Sequence, residues 1–427
     1  MNFEMLHPAD RIVMVMNRIY DHNLTVLGVN LSVRDTEGTV WISPDRADQG
    51  NLRREDIVQI RTDGSVVGIH RPSAEYPLHL AIYKKRSDIN AVLHAYPPIL
   101  IAERILGLLP DITMMPCIRG TARNISSVPY EIPGSSVLGE KISTEFSKGI
   151  HAVVPDRHGV VIGASALLEA FRSFESLCVC SRIQRNAKAI GGTVRGICDE
   201  DMRKISEKTA DAGNAYTPAS HSSEELLARR ELCEFVWRSY EKQFIMSGSG
   251  AFSCRLSDGS VLFTPERKDK GTLQPEDVVL MKNGKREDGK IPCATWKRHL
   301  AIYENDPAIG CVIEATPPYG MAFAVTEKDL DPRILPEVYI ALRKVRKYPF
   351  LSDEAIFARD ITVKTPVAII ENECVLAVGT SLLHAFNQLE MLESCARIST
   401  EALIFRETSN RLGTEALGEL ERAFNLL

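Results

Sequence analysis

Three side chains that could carry metal-assisted acid–base chemistry lie far apart in the sequence. Glu75 stands in "RPSAEYPLH", His94 in "VLHAYPP" and His158 in "PDRHGVVIG". Imidazoles bind a borderline divalent metal such as Zn²⁺ well, and a carboxylate nearby can move a proton on a hydroxyl or a carbon. Such a metal acts as a Lewis acid that stabilises an oxyanion. If the fold brings these three groups together, we expect a metal-assisted site.

The residue two places after His94 should share its side of the chain. The stretch "AVLHAYPP" (91–98) is typical of a strand, and residues i and i+2 of a strand point to one face. Tyr96 is therefore expected beside His94. A neutral phenol has a pKa of about 10 and binds zinc poorly unless it is ionised. Tyr96 could therefore either contact a ligand or simply fill the space beside the imidazole.

The elements that must position these residues occur twice in the chain. "LSVRDTEGTVWISPDRADQGNLRREDIV" (31–58) aligns with "FSCRLSDGSVLFTPERKDKGTLQPEDVV" (252–279), and "PSAEYPLHLAIY" (72–83) aligns with "PCATWKRHLAIY" (292–303). The matching order and nearly constant offset indicate a duplicated unit. We predict a first domain over 1–190 that carries the candidate site, a linker over 191–221 and a second domain over 222–427.

Each copy alternates helical and strand patterns. The first opens with an amphipathic helix at about 8–22, continues with strand–turn–strand patterns, and closes with a long helix at about 164–190. The second opens with a helix at about 222–244, whose start has a capping-box pattern. The region after "AVLHAYPP" is read as a variable loop. This alternation predicts an α/β layered arrangement in each half.

Composition excludes several classes of protein. The 427 residues carry a net charge of −5 and no long basic run, so we expect no nucleic-acid partner. No apolar run approaches the length of a membrane span, and the N-terminal residues lack a signal-peptide layout. The ten cysteines form no CxxC pair, which favours reduced core thiols in a cytoplasmic protein.

The spacing P-S-x-E-x-x-x-H, then A-V-x-H, then H-G-V-V resembles the class II aldolase/adducin family, typified by fuculose-phosphate aldolase. The resemblance spans about 8–190 and, more weakly, about 222–410. It implies two tandem three-layer α/β/α domains, each with a central, mostly antiparallel sheet flanked by helices. It also implies a metal-dependent lyase that forms an enediolate.

The resemblance assigns roles residue by residue. Glu75 stands at the catalytic acid/base position, and His94 and His158 stand at the first and third metal-ligand positions. Tyr96 occupies the second ligand position, where the family has histidine, so the divalent metal, expected to be zinc, would be held more weakly. Replacements for the missing imidazole are Tyr96 itself, Glu75, or water and substrate.

The resemblance also implies residues that bind the substrate. Asn30, Ser43 and Ser73 match the family's anion-binding loops, whereas Asp45 and Arg46 replace a serine and a glycine. Arg46 could offset Asp45 by pairing with a phosphate or carboxylate. A sugar phosphate, a carboxylate-bearing substrate and a neutral carbonyl compound all remain open as substrates.

The second copy lacks the candidate chemistry. Glu75 aligns with Thr295, His94 with Glu314 and Tyr96 with Thr316, while His158 aligns with either Glu373 or Cys374. This copy is predicted to be structural. Because related aldolases form rings, we expect a homo-oligomer in which the two halves alternate around a ring.

Two functions of different classes follow from this resemblance. The first is a lyase of the class II aldolase type that acts on a small-molecule substrate, by aldol cleavage or decarboxylation. The second is a non-catalytic, adducin-like interaction protein that has lost metal binding. The replaced ligand at Tyr96 in the first half and the absence of all the candidate residues from the second half favour the interaction protein.

Overall fold

The computed structural model describes most of the chain, namely residues 3–25, 28–209, 213–353, 358–405 and 411–426. By their internal contacts the residues form two compact units, one of 1–112 with 118–182 and the other of 113–117 with 183–427. The division into 1–190, 191–221 and 222–427 stays a prediction. Within the described residues, no helix has both the length and the apolar character needed to cross a membrane.

The first unit is built on an eight-stranded mixed sheet, in the order β4-β3-β2-β1-β5-β8-β7-β6. Neighbouring strands are antiparallel except β6 and β7, which are parallel. The strands are β1 (Asn30–Arg34), β2 (Val40–Ile42), β3 (Val58–Ile60), β4 (Val66–Val67), β5 (Ala91–Ala95), β6 (Ile125–Val128), β7 (Ala152–Pro155) and β8 (Val160–Ala164).

Helices cover both faces of this sheet. The α-helices that lie wholly or mainly in the first unit are Pro8–Asp21, Tyr76–Lys85, Pro98–Ile105, Pro116–Ala122, Ser136–Ser147 and Leu167–Ala189. Tyr76–Lys85 and Ser136–Ser147 pack on one face, where Ile82 and Phe146 join an apolar core with strand residues such as Val92. Pro8–Asp21 contacts β1 from the other face. These layers confirm the predicted α/β class.

The second unit repeats this plan on a nine-stranded sheet, in the order β15-β16-β17-β14-β10-β11-β12-β13-β9. The pairs β15–β16 and β13–β9 are parallel and the others antiparallel. The strands are β9 (Asn214–Tyr216), β10 (Ala251–Arg255), β11 (Val261–Phe263), β12 (Val279–Lys282), β13 (Lys285–Glu287), β14 (Cys311–Ala315), β15 (Arg346–Tyr348), β16 (Val367–Ile370) and β17 (Cys374–Gly379). The α-helices are Asp199–Thr209, Ser223–Glu241, Trp296–Asn305, Pro318–Ala324, Pro336–Leu342, Leu382–Ile404 and Thr414–Ala423.

The strand register aligns the two copies residue by residue. In the first sheet His94 pairs with Asn30 of β1 and with Val161 of β8. In the second sheet Glu314 pairs with Ala251 of β10 and with Leu376 of β17. The triplet β1–β5–β8 therefore corresponds to β10–β14–β17, with Glu314 at the position of His94.

The structure is more regular than the sequence patterns predict in two places. The region read as a variable loop contains three helices and β6. Two of those helices begin at Pro98 and Pro116, and proline, which signals a loop in a sequence, also suits the first turn of a helix. The segment read as a linker contains the helix Asp199–Thr209 and the edge strand β9.

Candidate active site

His94 lies in the middle of the first sheet, on β5, and its side chain is fully buried. Every residue of β5 is buried, so the strand is fixed on both sides and on both faces. Tyr96 follows the last residue of β5, and its ring centroid lies 4.9 Å from that of His94. The two rings are therefore neighbours, as strand alternation predicts.

Glu75 precedes the first turn of the helix Tyr76–Lys85 and is held there by the loop before it. Ser73 Oγ accepts a hydrogen bond from the Glu75 backbone N–H at 3.2 Å and donates one to Asn30 Oδ1 at 2.5 Å. Asn30 in turn lies opposite His94 in the sheet. The contact between Ser73 and Asn30 thus ties the loop that carries Glu75 to the strand beside His94.

His158 lies in the turn between β7 and β8. The next residue, Gly159, has φ of +73°, and a Cβ at this position would lie 2.1 Å from the carbonyl oxygen of Ala95. Because glycine has no Cβ, the turn can approach β5 this closely. The approach brings the His158 carbonyl oxygen to 3.1 Å from Nε2 of His94, which donates a hydrogen bond to it.

The structure brings Glu75, His94 and His158 into one cluster. Each offers a ligand atom, and these atoms all lie within 4.8 Å of one another. His158 Nε2 is 3.5 Å from Glu75 Oε1, and the Tyr96 hydroxyl is 3.3 Å from His158 Nδ1. All three cluster residues are buried, while the Glu75 side chain remains 11% exposed. The arrangement places two imidazoles, a carboxylate and a phenol together.

The electrostatics of the cluster follow from burial and mutual contact. Burial, aided by the charge of His158, lowers the pKa of His94 to about 4. Burial raises the pKa of Glu75, but the hydrogen bond from His158 and the charge of His94 outweigh it, so the net shift is downward. Burial and the charge of Glu75 raise the pKa of Tyr96. These shifts favour a neutral imidazole at His94, an ionised carboxylate at Glu75 and a neutral phenol at Tyr96.

Unsatisfied buried atoms in the cluster allow its fit to a metal to be tested. Among the described residues, Glu75 Oε2 and His94 Nδ1 are buried without a hydrogen-bond partner. A buried polar atom without a partner is costly, and both atoms are of the type that binds divalent metals. Binding also requires neutral imidazoles and an ionised carboxylate. The residues therefore fit a divalent metal ion.

Ser43 is placed in the scaffold of the sheet. Its buried hydroxyl accepts a hydrogen bond from the Leu31 backbone N–H at 3.1 Å. At the equivalent position of the second copy, Thr264 accepts one from the Phe252 backbone N–H at the same distance. The second copy lacks the candidate chemistry but keeps this hydrogen bond. The contact of Ser43 with β1 is therefore structural.

Arg46 is not brought to the cluster. Its side chain is 92% exposed and lies 3.7 Å from Asp45, and its backbone has a left-handed φ of 53°. Arg267 repeats the left-handed turn with φ of 57° and lies 3.5 Å from Glu266. The arginine therefore belongs to a turn that both copies share.

A hydrogen-bond network beside the site is also shared by both copies. His79 is buried, and its Nδ1 lies 2.7 Å from Ser32 Oγ, which lies 2.7 Å from the Tyr83 hydroxyl. In the second copy, Ser253, His299 and Tyr303 repeat both distances. Sequence reasoning noted the two histidines but missed their serine and tyrosine partners, although the repeated "HLAIY" was a signal for the tyrosine.

The register also shows what replaces each member of the cluster in the second copy. His94 pairs with Val161, three residues after His158, and Glu314 pairs with Leu376. Counting back three residues from Leu376 gives Glu373 rather than Cys374 as the counterpart of His158. Two carboxylates therefore stand where the first copy has two imidazoles.

A buried arginine accompanies those two carboxylates, and sequence reasoning missed it. Arg298 lies 2.9 Å from Glu314 Oε1 and 2.5 Å from Glu373 Oε1. The equivalent residue of the first copy is Leu78. Each of the two residues stands directly before "HLAIY", so the replacement of leucine by arginine there was the sequence signal for this ion pair. The charge of the two carboxylates outweighs burial and holds the pKa of Arg298 above its usual value.

Comparison with known proteins identifies the same two copies and the family to which they belong. The family model described as "Class II Aldolase and Adducin N-terminal domain" matches residues 10–185 and again 230–400. A 5-deoxy-D-ribulose 1-phosphate aldolase of Bacillus thuringiensis serovar kurstaki is 32% identical over 42% of this chain and 84% of its own length. A 3-oxo-tetronate 4-phosphate decarboxylase of Haemophilus influenzae is 28% identical over 48% of this chain and 98% of its own.

Among solved structures, an L-fuculose 1-phosphate aldolase is similar, with 29% identity, a TM-score of 0.41, and coverage of 47% of this chain and 95% of that one. The two matches to the family model together span most of the chain, one in each copy. Their positions agree with the repeated strand register. The chain therefore belongs to the class II aldolase/adducin family, as a tandem of two such domains.

Proposed function

We propose that the first half is a metal-dependent lyase of the class II aldolase type. It would cleave a carbon–carbon bond, by aldol cleavage or decarboxylation, in a small hydroxy-carbonyl or sugar-phosphate substrate. The observation that carries this proposal is the buried cluster of Glu75, His94 and His158, with ligand atoms within 4.8 Å of one another. The names of the two relatives describe an aldolase and a decarboxylase of phosphorylated substrates, and this supports the same reaction class.

The residues of the cluster would divide the work as follows. His94 and His158 would hold a divalent metal, expected to be zinc, with Glu75 or Tyr96 as the third ligand. The metal would supply Lewis-acid stabilisation of negative charge on a substrate oxygen. Glu75 Oε1 faces His158, while Oε2 has no partner among the described residues and could accept a proton from the substrate.

The remaining candidate residues would position rather than react. The Tyr96 hydroxyl lies beside His158 and would donate a hydrogen bond to a substrate oxygen. Asn30 and Ser73 would hold the loop of Glu75 through their mutual hydrogen bond. Arg46 lies outside the cluster on an exposed loop that begins after β2, and it would pair with an anionic group only of a substrate that extends to that loop.

The test begins with the metal content of the full chain purified without chelator, compared with His94→Ala. The matched control is His221→Ala, a substitution of a partly exposed histidine that contacts Glu225 outside the cluster. We expect one divalent ion per chain in the wild type and the control and its loss in His94→Ala. Turnover of a panel of ketose phosphates and 3-oxo acid phosphates, followed by aldehyde or CO₂ release, then identifies the reaction.

The second candidate function is a non-catalytic, adducin-like interaction protein. Tyr96 at a ligand position and the exchange of two imidazoles for Glu314 and Glu373 favour it. It predicts that neither the purified protein nor the protein incubated with Zn²⁺, Mn²⁺ or Co²⁺ holds a stoichiometric ion. That result, together with no turnover, would reject the lyase.

A further inference from the structure

Two cysteines face each other across the centre of the second sheet. The strand register pairs Cys254 of β10 directly with Cys311 of β14. Both are free thiols, and both are buried. All ten cysteines lie in the described residues, and this is the pair among them that the register places opposite each other. The corresponding pair of the first sheet is Val33 and Ala91, so the thiols are particular to the second copy.

The hydrogen-bond pattern identifies the type of pair. The next residue pair, Arg255 and Gly310, is joined by a 2.8 Å backbone hydrogen bond from Arg255 N–H to the Gly310 carbonyl. Because hydrogen-bonded and non-hydrogen-bonded pairs alternate along antiparallel strands, Cys254 and Cys311 form a non-hydrogen-bonded pair. Facing Cα atoms in such a pair lie about 4.5 Å apart, with their side chains on the same face. A disulfide spans Cα distances of about 4.4–6.8 Å, so this pair is within its reach.

We propose that Cys254 and Cys311 are a redox modification site, which a peroxide closes to a reversible cross-strand disulfide. One thiolate sulfur attacks the peroxide, the O–O bond breaks, and a sulfenic acid and one water form. The second sulfur then attacks the sulfenic sulfur, the S–S bond forms, and the S–O bond breaks to release another water. The two thiols together lose two electrons and two protons, and hydrogen peroxide is reduced to two waters.

The buried environment of the two thiols predicts that the disulfide forms slowly and is stable once formed. Burial raises the pKa of both thiols, that of Cys254 to about 12, so the reactive thiolate is scarce at neutral pH. Nearby Glu231 acts in the same direction on both. Once closed, the bond would join two central strands of the sheet. We expect it to stabilise the second unit without touching the cluster in the first.

The experiment uses the full chain with Cys198→Ser, which removes an exposed thiol that could link two chains. Reduced protein is treated with hydrogen peroxide, alkylated, digested without reductant and mapped by mass spectrometry. We expect one cross-linked peptide pair that joins Cys254 to Cys311, two fewer alkylated thiols, and a higher Tm that dithiothreitol reverses. Cys254→Val and Cys311→Ala restore the residues of the first copy, and each should abolish both the cross-link and the Tm shift.

Three results would overturn the proposal. The peroxide could leave both thiols open to alkylation, it could pair either one with a different cysteine, or the cross-link could form without any change in Tm. If either variant fails to fold, the peptide map of the Cys198→Ser protein still decides the question, since it needs no second substitution. None of these outcomes depends on metal content or turnover, so the result is independent of the proposed lyase.

Discussion

In the second half of the chain, Arg298 lies 2.9 Å from Glu314, which stands at the strand position that His94 occupies in the first half. A second carboxylate, Glu373, stands at the position of His158 and also pairs with Arg298. Burial raises the pKa of Glu314, but Arg298 outweighs it and lowers the value to about 2. The second half therefore carries a buried cation of its own, which offsets the charge of the buried Glu314 carboxylate.

We predict that Arg298→Leu, which installs the residue of the first copy, destabilises the protein by about 3–5 kcal/mol, because it removes the cation that pairs with the buried Glu314 carboxylate. Urea unfolding followed by circular dichroism measures this loss. Adding Glu314→Gln should restore part of it, since only the more exposed Glu373 is then unpaired. A cost below about 1 kcal/mol, as for surface ion pairs, would contradict this account.

The replacement at Tyr96 predicts a gain of metal affinity. Tyr96→His would place a third imidazole beside His94 and His158, and we expect at least tenfold tighter zinc binding in competition with a chromogenic chelator. Tyr96→Phe is the matched control, because it removes only the hydroxyl. Unchanged affinity in Tyr96→Phe and a large loss in Glu75→Gln would identify Glu75 as the third ligand. The reverse pattern would identify Tyr96.

A buried glutamate makes the second unit sensitive to pH. Burial raises the pKa of Glu393 from 4.5 to about 7, although its carboxylate accepts hydrogen bonds from the Tyr319 and Gly320 backbone N–H groups and lies near Arg397. Because the pKa of Glu393 is higher in the folded chain than in the unfolded chain, protonation of its carboxyl group stabilises the folded state. This contribution is complete below about pH 4.5 and is lost as pH rises through about 7. The free energy of unfolding should fall by about 3 kcal/mol over that range.

Glu393→Gln should remove this part of the pH dependence, because the amide stays neutral. The free energy of unfolding, measured by urea titration between pH 5 and 8, should fall less steeply with pH in the variant than in the wild type. Glu390→Gln, a change at a partly exposed residue that pairs with Lys242, is the control and should keep the wild-type slope. Equal slopes in all three proteins would show that Glu393 ionises normally.

Gly159 predicts a coupling between backbone geometry and the cluster. Gly159→Ala would meet the Ala95 carbonyl oxygen at 2.1 Å and adopt φ of +73°, so we expect a loss of more than about 3 kcal/mol together with weaker metal binding. Gly64→Ala is the control, since Gly64 has φ of +82° with no atom within 4 Å of the added carbon. It should cost only the left-handed strain of about 1–2 kcal/mol. Equal costs in thermal denaturation would mean that the turn can move away from β5.

The predicted fold depended on patterns that a sequence records directly. Hydrophobic periodicity and motif order are properties of the linear sequence. The sequence therefore records the repeat, the alternation of strands and helices, and the spacing of Glu75, His94 and His158. Helices that begin at Pro98 and Pro116 were missed, since proline marks both loops and first turns. The short β9 was missed because three residues carry almost no periodicity.

The sequence by itself determined that the chain is a tandem α/β protein whose first half has two imidazoles and a carboxylate and whose second half lacks them. The tertiary structure alone decided which of the candidates meet. It placed Tyr96 against His158, turned Arg46 into solvent, and put Arg298 between two carboxylates. The reason is physical: side-chain contacts between distant segments depend on strand register and turn geometry, and a one-residue shift in either would have separated these groups.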